Sequence, residues 1–275
     1  MRTPRAAATV AGVSDASAFP ATLVETLATR LAAAGLDLVR ALDARRYDAA
    51  VAPEYRLPRP RGGRDARLAV VVGGSRAFWP PFLEWLGAEP TRLDAPDPID
   101  RYTVAAVRAA LDGVTVPHEV RFSFEPPPRR IAMQRLADVA GLAALTPSML
   151  CVHPTFGPWI ALRAAVVFDV APPDAPGAGP PSACDDCAER CAPALARAVA
   201  ATTARAGRPP VAAERDGDDP VAPDWPLWLA VRDACPVGRE HRYPDAYLRY
   251  VYTKDRGVLR AALRDADRRA SAGRG

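Results

Sequence analysis

The amino-acid sequence predicts a mixed β-sheet packed against α-helices. Two apolar runs rich in β-branched residues, 67–72 and 164–168, have the length and composition of buried strands. Segments with apolar residues at helical spacing, such as 21–34 and 97–114, alternate with strand-like segments along the chain. This alternation is typical of a sheet that helices cover.

The remaining elements follow from local patterns of the same kind. They are a strand beginning at 36–39, a helix at 78–86, a strand at 119–124, a helix at 129–145, an Ala-rich helix within 184–204, and an aromatic-rich block at 225–253 followed by a helix. We expect one domain over 21–263, preceded by a flexible N-terminus (1–20). Residues 264–275 are polar and strongly charged, which predicts a disordered tail.

Composition predicts a water-soluble globular chain. Its 275 residues are 49% hydrophobic and 25% charged, and a chain of this length can bury a large core without disulfides. No apolar run reaches the roughly 18 residues of a membrane helix, so we expect no membrane span. The first twenty residues contain no continuous apolar stretch, so we expect no secretion signal and a cytoplasmic location.

The net charge of +4 does not indicate a nucleic-acid partner. Lys254 is the single lysine among 36 basic residues, and these are interleaved with 32 acidic residues. An arginine bias of this kind, with 30 prolines, reflects the base composition of the coding DNA. A phosphate-binding surface would instead concentrate basic residues in a stripe.

The segment CVHPTFGPW (151–159) precedes a predicted core strand and has two interpretations. In the first, its prolines and glycine form a tight turn, while Phe156 and Trp159 fill the core. In the second, it is a rigid lip that holds Cys151 and His153 beside a cavity, with Trp159 as an apolar wall. Arg163 favours the second, because a charge within a core strand must be paired or face a cleft.

A second cluster contains most of the cysteines. Cys184, Cys187 and Cys191 have the spacing C-x2-C-x3-C, and Cys235 is a possible distant fourth ligand for an iron–sulfur cluster or zinc. The bacterial ferredoxin pattern requires a further cysteine followed by proline, and here that region reads APALA. The two aspartates between the first thiols also disfavour thiolates. Bound metal, redox chemistry and simple burial therefore all stay open.

The late segment RDACPVGREHRY (232–243) concentrates arginines around Cys235 and His241. Neighbouring aromatic residues favour a partly buried anion-binding edge over a solvated surface. The chain contains no glycine-rich phosphate loop, hydrolase elbow, zinc-protease pair or kinase signature.

Several motifs occur in an order that resembles one known family. They are YDAAVAPEYRLP (47–58), LAVVVGGSRAFWPPFLEWL (68–86), DPID (97–100), RRIAMQRLADVAG (129–141), CVHPTFGPWIALRAAVV (151–167), RDA (232–234) and RY (242–243). Together they resemble the CblC family, cytosolic proteins that accept vitamin B12 and remove its upper axial ligand. The likeness covers roughly residues 21–260.

The resemblance implies an α+β fold of the flavin nitroreductase type, with a mixed or antiparallel sheet packed against helices. It also implies a cobalamin cavity and a site for the thiol substrate. The implied cavity residues are Gln134, Cys151, His153, Phe156 and Trp159. Arg163 and Arg232 match arginines that bind glutathione carboxylates in the family and so take the catalytic role. The third family arginine corresponds to Val258, with Arg256 and Arg260 nearby.

The implied activity is dealkylation by a thiol such as glutathione, or reductive loss of cyanide with electrons from a reduced flavin (FMN or FAD) or a flavoprotein. A B12-dependent enzyme would then accept the product. The segment before the Cys-His block is shorter than in the family, since only LAALTPSML (142–150) separates it from the preceding helix. Three alternatives stay open: a non-catalytic B12 carrier, a flavin redox protein, and an iron–sulfur protein resembling the epoxyqueuosine reductases, which share the fold.

Overall fold

The computed structural model describes residues 15–172, 185–207 and 224–272. The helices are α1 (Asp15–Ala33), α2 (Ala44–Asp48), α3 (Trp79–Gly87), α4 (Thr91–Asp94), α5 (Pro98–Ala110), α6 (Met133–Val139), α7 (Cys191–Ala206), α8 (Trp225–Ala234), α9 (Asp245–Thr253) and α10 (Arg256–Ala272). The strands are β1 (Leu38–Asp43), β2 (Leu68–Gly74), β3 (His118–Phe122), β4 (Ala144–Leu145), β5 (Cys151–Val152) and β6 (Ala161–Phe168). None of these helices is both long and apolar enough to cross a membrane.

Four strands form an antiparallel sheet in the order β1–β2–β6–β3, and β4 pairs with β5 in a small second sheet. Successive side chains of a strand point to opposite faces. On β2, Val70 and Val72 therefore join one core, which α1, α3, α5, α9 and α10 cover. Ala69 and Val71 join another core, which α2, α6 and the small sheet cover. We name these sides the first face and the second face.

A β-bulge interrupts the pairing of β2 with β6. Val72 lies opposite Ala164, whereas Gly73 lies opposite Leu162, so Arg163 has no partner on β2. On the other side of β6, the Ser123 amide donates to the Arg163 carbonyl at 2.9 Å. An extra residue in one strand redirects its side chain. Here the bulge turns Arg163 toward the first face, although Leu162 packs against the second.

The strands predicted at 67–72, 119–124 and 164–168 are confirmed. The helix predicted over 129–145 is shorter than expected, because Gly141 adopts a positive φ of 71° and the chain then enters β4. Glycine adopts this conformation without steric cost, which is why it ends helices.

The two predicted chain ends also differ from the structure. The prediction of disorder from residue 264 is wrong up to Ala272, because α10 continues to that residue. Leu259 and Ala262 bury the apolar stripe of α10 in the first-face core, and this packing stabilises a helix that is rich in charged residues. At the other end, α1 begins at Asp15, within the segment predicted as flexible, and residues 1–14 lie outside the described ranges.

Candidate functional site

Most of the predicted site residues lie around one end of the four-stranded sheet. At this end β2 finishes at Gly74 and β6 begins at Ala161. Asp37, which directly precedes β1, accepts hydrogen bonds there from the Ser75 amide (2.7 Å) and hydroxyl (2.6 Å). The Cys-His block approaches this end from the second face, and the late arginine segment approaches it from the first face.

The block 151–159 forms the tight turn that its prolines and glycine predict. His153 and Gly157 exchange two backbone hydrogen bonds of 2.9 and 2.8 Å. The His153 Nδ1 atom accepts from the amides of Thr155 and Phe156 at 3.1 and 3.2 Å. A nitrogen that accepts two such bonds carries no proton, so the neutral imidazole has its proton on Nε2. Burial lowers the pKa of His153, which favours the neutral form.

This turn packs backbone against backbone on the turn that follows α8. A Cβ atom at Gly157 would lie 1.9 Å from the Val237 carbonyl oxygen, and one at Gly238 would lie 2.4 Å from the Phe156 carbonyl carbon. The close approach aligns three rings, with centroid separations of 4.9 Å from His153 to Phe156 and 4.8 Å from Phe156 to His241. We name His153, Phe156 and His241 the aromatic lip. All three are half-buried.

A cavity of 610 Å³ lies on the second face. No residue of 151–159 lines it, but one lining residue, Leu145, pairs with Cys151. Gln134 lines the cavity, and the Gln134 side-chain amide donates to the Met149 carbonyl at 2.8 Å. Tyr55 and Phe124 also line it, and these two residues and Met149 keep 37%, 45% and 58% of their surfaces exposed. Large exposed apolar side chains mark surfaces that bind a ligand or partner. The volume lies within the usual range for small-molecule sites, about 300–1,000 Å³.

Cys151 links the cavity to the aromatic lip but is not set up as a nucleophile. It pairs with Leu145, a residue that lines the cavity, and its Sγ donates to the Gln134 carbonyl at 3.6 Å. Burial raises the pKa of the Cys151 thiol to about 12. The thiolate is the reactive form of cysteine, so the Cys151 side chain stays a neutral, unreactive thiol at physiological pH.

On the first face, the two predicted arginines, Arg163 and Arg232, both act electrostatically on Tyr243. The Arg163 Nη2 atom donates to the Tyr247 hydroxyl at 2.8 Å, and the guanidinium lies 4.8 Å from the centre of the Phe78 ring. Tyr243 stacks on Tyr247 with ring centroids 4.2 Å apart, and its hydroxyl donates to the Gly74 carbonyl at 2.8 Å. Burial raises the pKa of Tyr243 well above its ordinary value, while the charges of Arg163 and Arg232 oppose that shift.

Asp100, which we did not predict as a site residue, lies in the electrostatic neighbourhood of Arg163. Burial raises the pKa of its carboxyl group, and the charges of Arg163 and Lys254 oppose the shift. Asp100 belongs to the DPID motif at the start of α5, so the sequence motif could have indicated it as a site residue. What the sequence does not show is that α5 faces the bulge of β6.

Trp159 does not line the cavity. It is fully enclosed in the first-face core, whereas Cys151 packs against the second. The Arg242 guanidinium lies 5.5 Å from the centre of the Trp159 ring, and the indole nitrogen has no hydrogen-bond partner among the described residues. For this residue, the interpretation of a core-filling aromatic at the turn fits the structure.

The structure places both candidates for the third arginine implied by the resemblance beside Asp94. Val258, the corresponding residue, is buried in the first-face core. Arg256 donates to the Asp94 carbonyl, and Arg260 donates to the Asp94 carboxylate at 3.1 Å. The two candidate replacements are therefore held at α4.

The described cysteines of the second cluster lie together. Cys187, Cys191 and Cys235 are buried with Val152, which connects them to the Cys-His block. Cys184, the first residue of the motif, lies outside the described ranges. Within 15–172, 185–207 and 224–272, no group of three or more His, Cys, Asp or Glu side chains is arranged to hold a metal ion.

Comparisons with known proteins identify the fold. No family model matches the chain, and no curated protein sequence matches it. Among solved structures, the crystal structure of a C. elegans B12-trafficking protein CblC, a human MMACHC homologue, is similar to this chain. The TM-score is 0.63 with 16% sequence identity, and the match covers 87% of this chain and 95% of that chain. The predicted α+β fold is thereby confirmed: an antiparallel sheet packed against helices, in the nitroreductase-like arrangement of CblC.

Proposed function

We propose that this protein binds cobalamin (vitamin B12) as its substrate and removes the upper axial ligand. One observation carries the proposal: a 610 Å³ cavity lined by Gln134 and two exposed aromatic residues lies next to Cys151, in a chain with the fold of CblC. Neither the cavity alone nor the fold alone would identify a ligand.

The lining of the cavity suits a corrin ring. A corrin is a broad, flat macrocycle whose edge carries neutral amide groups, so it needs apolar contact area and a few polar partners at its edge. Tyr55 and Phe124 offer the apolar area, and Gln134 and Ser123 offer polar groups. At the lip, His153 and Phe156 present a further half-buried surface.

The proposed dealkylation uses glutathione as the second substrate. Its thiolate sulfur forms a bond to the alkyl carbon, the cobalt–carbon bond breaks, and the bonding electron pair stays on cobalt, which becomes Co(I). Arg163 and Arg232 would hold the tripeptide by its carboxylates, which fixes the line of attack. For cyanocobalamin, an electron from a reduced flavin or a flavoprotein reaches cobalt and cyanide leaves. A B12-dependent enzyme would accept the product.

A non-catalytic B12 carrier is the second candidate, and one observation favours it. The guanidinium of Arg163 lies on the first face, bonded to Tyr247 and covering Phe78, whereas the cavity lies on the second face. The two regions meet only around the end of the sheet, where the Ser123 amide bonds to the Arg163 carbonyl. A carrier needs the cavity and has no use for a thiol site.

The test is an anaerobic visible titration of the purified protein with methylcobalamin, followed by glutathione. We expect a shift to the spectrum of cobalamin without its lower base, then loss of the methyl group at a rate that depends on glutathione. A shift without conversion, with glutathione and with a reduced flavin, establishes the carrier. No shift excludes cobalamin, and a cluster absorbance before any addition indicates the iron–sulfur alternative.

A further inference from the structure

The cavity beside Gln134 contains one positive charge that no described residue neutralises. Three charged side chains line it: Glu125, Arg130 and Arg135. Glu125 accepts from Arg129 Nε at 2.8 Å and from the Phe122 amide at 3.1 Å, so its charge is already compensated. A further ion pair, with Asp138 at 3.0 Å, compensates Arg135.

Arg130 differs from both of these neighbours. It is half-buried in the cavity wall, and among the described residues neither a hydrogen-bond acceptor nor a carboxylate contacts its guanidinium. Most surface arginines gain little from an ion pair because water solvates them well. In a concave and partly apolar wall the solvation is poorer, so an anion gains more from contact with Arg130. The planar guanidinium matches two oxygens of a phosphate or carboxylate.

We propose that Arg130 binds the phosphodiester in the nucleotide loop of cobalamin, and that it distinguishes complete cobalamin from cobinamide, which lacks that loop. The inference rests on the proposed function. The side chains of the corrin ring in natural cobalamin are neutral amides, and the phosphodiester is its one anionic group. An unneutralised cation in this cavity therefore has a single group of opposite charge on the ligand, which binds a guanidinium more strongly than a neutral amide oxygen does.

The surroundings of Arg130 also suit the base at the end of the nucleotide loop. Phe124 lines the same cavity, keeps 45% of its surface exposed and stacks on Phe122 with centroids 5.4 Å apart. A ring held in this way can stack on the benzimidazole base once the base has left cobalt. Tyr55 borders the same space. Arg130 and these two rings thus offer complementary contacts for the phosphodiester and the base.

The test compares two ligands on four proteins by anaerobic visible titration. The ligands are cyanocobalamin and cyanocobinamide, and the proteins are wild type, Arg130→Ala, Arg130→Lys and the control Arg108→Ala. Arg108 is an exposed residue of α5 on the opposite side of the sheet. A charge-assisted contact is worth about tenfold or more in affinity. We expect Arg130→Ala to weaken cyanocobalamin by at least about tenfold and cyanocobinamide by less than about twofold.

Two further measurements separate charge from shape. Arg130→Lys keeps the charge and should recover part of the lost affinity for cyanocobalamin. Raising the salt from about 50 to about 500 mM should weaken cyanocobalamin binding to wild type more than to Arg130→Ala, because salt screens the contact. Thermal unfolding of each variant, before any ligand is added, verifies that it is folded.

The outcomes separate this inference from the proposed function. If wild type binds neither ligand, the proposed function fails and this inference fails with it. If wild type binds both and Arg130→Ala weakens both equally, or neither, Arg130 does not recognise the phosphodiester and cobalamin binding still stands. Inorganic phosphate that competes with cyanocobalamin but not with cyanocobinamide would further support the inference.

Discussion

The two faces of the sheet differ in how completely their side chains are covered and bonded. On the first face, Arg163, Tyr243 and Tyr247 are enclosed by aromatic residues and bonded mainly to each other and to the backbone. On the second face, the cavity wall keeps Tyr55 and Phe124 exposed. The first face bonds Arg163 and both tyrosines within the chain, although Arg163 Nε and Trp159 Nε1 are buried without a hydrogen-bond partner among the described residues. The second face leaves the apolar surface of Tyr55 and Phe124 exposed.

If the protein binds a large ligand as proposed, this contrast favours the second face as the side that binds it. Exposed apolar area has a cost in water that a bound ligand can remove, so the second face gains most from covering by cobalamin. The first face would instead exchange an internal bond, from Arg163 to Tyr247, for a contact with substrate. We therefore expect cobalamin to bind without a thiol, and the thiol to bind more weakly.

The largest expected effect tests the contact that joins the two faces. Gly157→Ala places a Cβ atom against the Val237 carbonyl, so two backbone segments must separate, and we expect a loss of about 3 kcal/mol or more in the free energy of unfolding. Gly113→Ala is the matched control, since Gly113 also has a positive φ (73°) but no atom within 4 Å of an added Cβ. It should cost about 1–2 kcal/mol.

Urea denaturation of both variants provides the comparison. Equal losses would contradict the packing of the aromatic lip on the 237–241 turn.

The next effect concerns the first face alone. Arg163→Ala removes the proposed carboxylate contact, so glutathione-dependent dealkylation should slow by about ten- to a hundredfold, while methylcobalamin affinity changes less than about twofold. Single-turnover spectra and titrations measure the two quantities separately. Equal loss of both would show that Arg163 supports the pocket and does not hold the thiol substrate. Tyr247→Phe, which frees the guanidinium, should not slow the reaction if Arg163 binds glutathione directly.

A smaller effect tests how the cavity wall is assembled. The Tyr47 hydroxyl donates to the Tyr55 carbonyl at 3.0 Å and accepts from the Ala132 amide at 2.8 Å, so it ties two sides of the cavity together. Tyr47→Phe leaves both groups without that partner and should cost about 1–2 kcal/mol of unfolding free energy. Cobalamin affinity should also fall, because the two bridged segments line the proposed cobalamin cavity. Unchanged affinity would show that these walls keep their positions without the bridge.

The smallest effect is a pH dependence at the aromatic lip. Burial lowers the folded-state pKa of His153, so the unfolded chain binds the proton more readily and the folded state loses stability as pH falls below about 6.5. We expect less than about 1 kcal/mol more loss between about pH 7.5 and about pH 5.5 in wild type than in His153→Asn. Asparagine can accept the same turn amides but does not titrate. Identical pH profiles would contradict a depressed pKa.

The sequence predicted parts of the fold that depend on local chemistry. The runs 67–72 and 164–168 are strands because β-branched residues suit a sheet buried on both sides. The strand order β1–β2–β6–β3 was not predictable in this way, because β6 inserts between elements far apart in the chain. The tail was mispredicted because half of its residues are charged, whereas the helix that continues into it packs Leu259, Ala262 and Ala266 on the core at helical spacing.

In the candidate site too, the features that depend on local sequence were predicted and those that depend on the fold were not. The turn at 151–159 and the clustering of Cys151 with Gln134 agree with the motif. Trp159, which the resemblance implied as a cavity residue, lies in the first-face core, as the core-filling interpretation of the turn predicted. Arg130 lies in the RRIAMQRLADVAG motif, but the sequence did not predict that it lacks an ion pair, because the neighbours of an arginine depend on the fold.

The bulge at Arg163 has a genetic consequence. Removing this one residue in frame would leave β6 as a regular strand, in which Leu162 and Ala164 would be consecutive and would point to opposite faces, as they do now. The register with β2 and both cores would be kept, while the Arg163 guanidinium and the hydrogen bond from the Ser123 amide to the Arg163 carbonyl would be lost. A deletion of this single codon would therefore remove the proposed anion contact and leave a regular strand in its place.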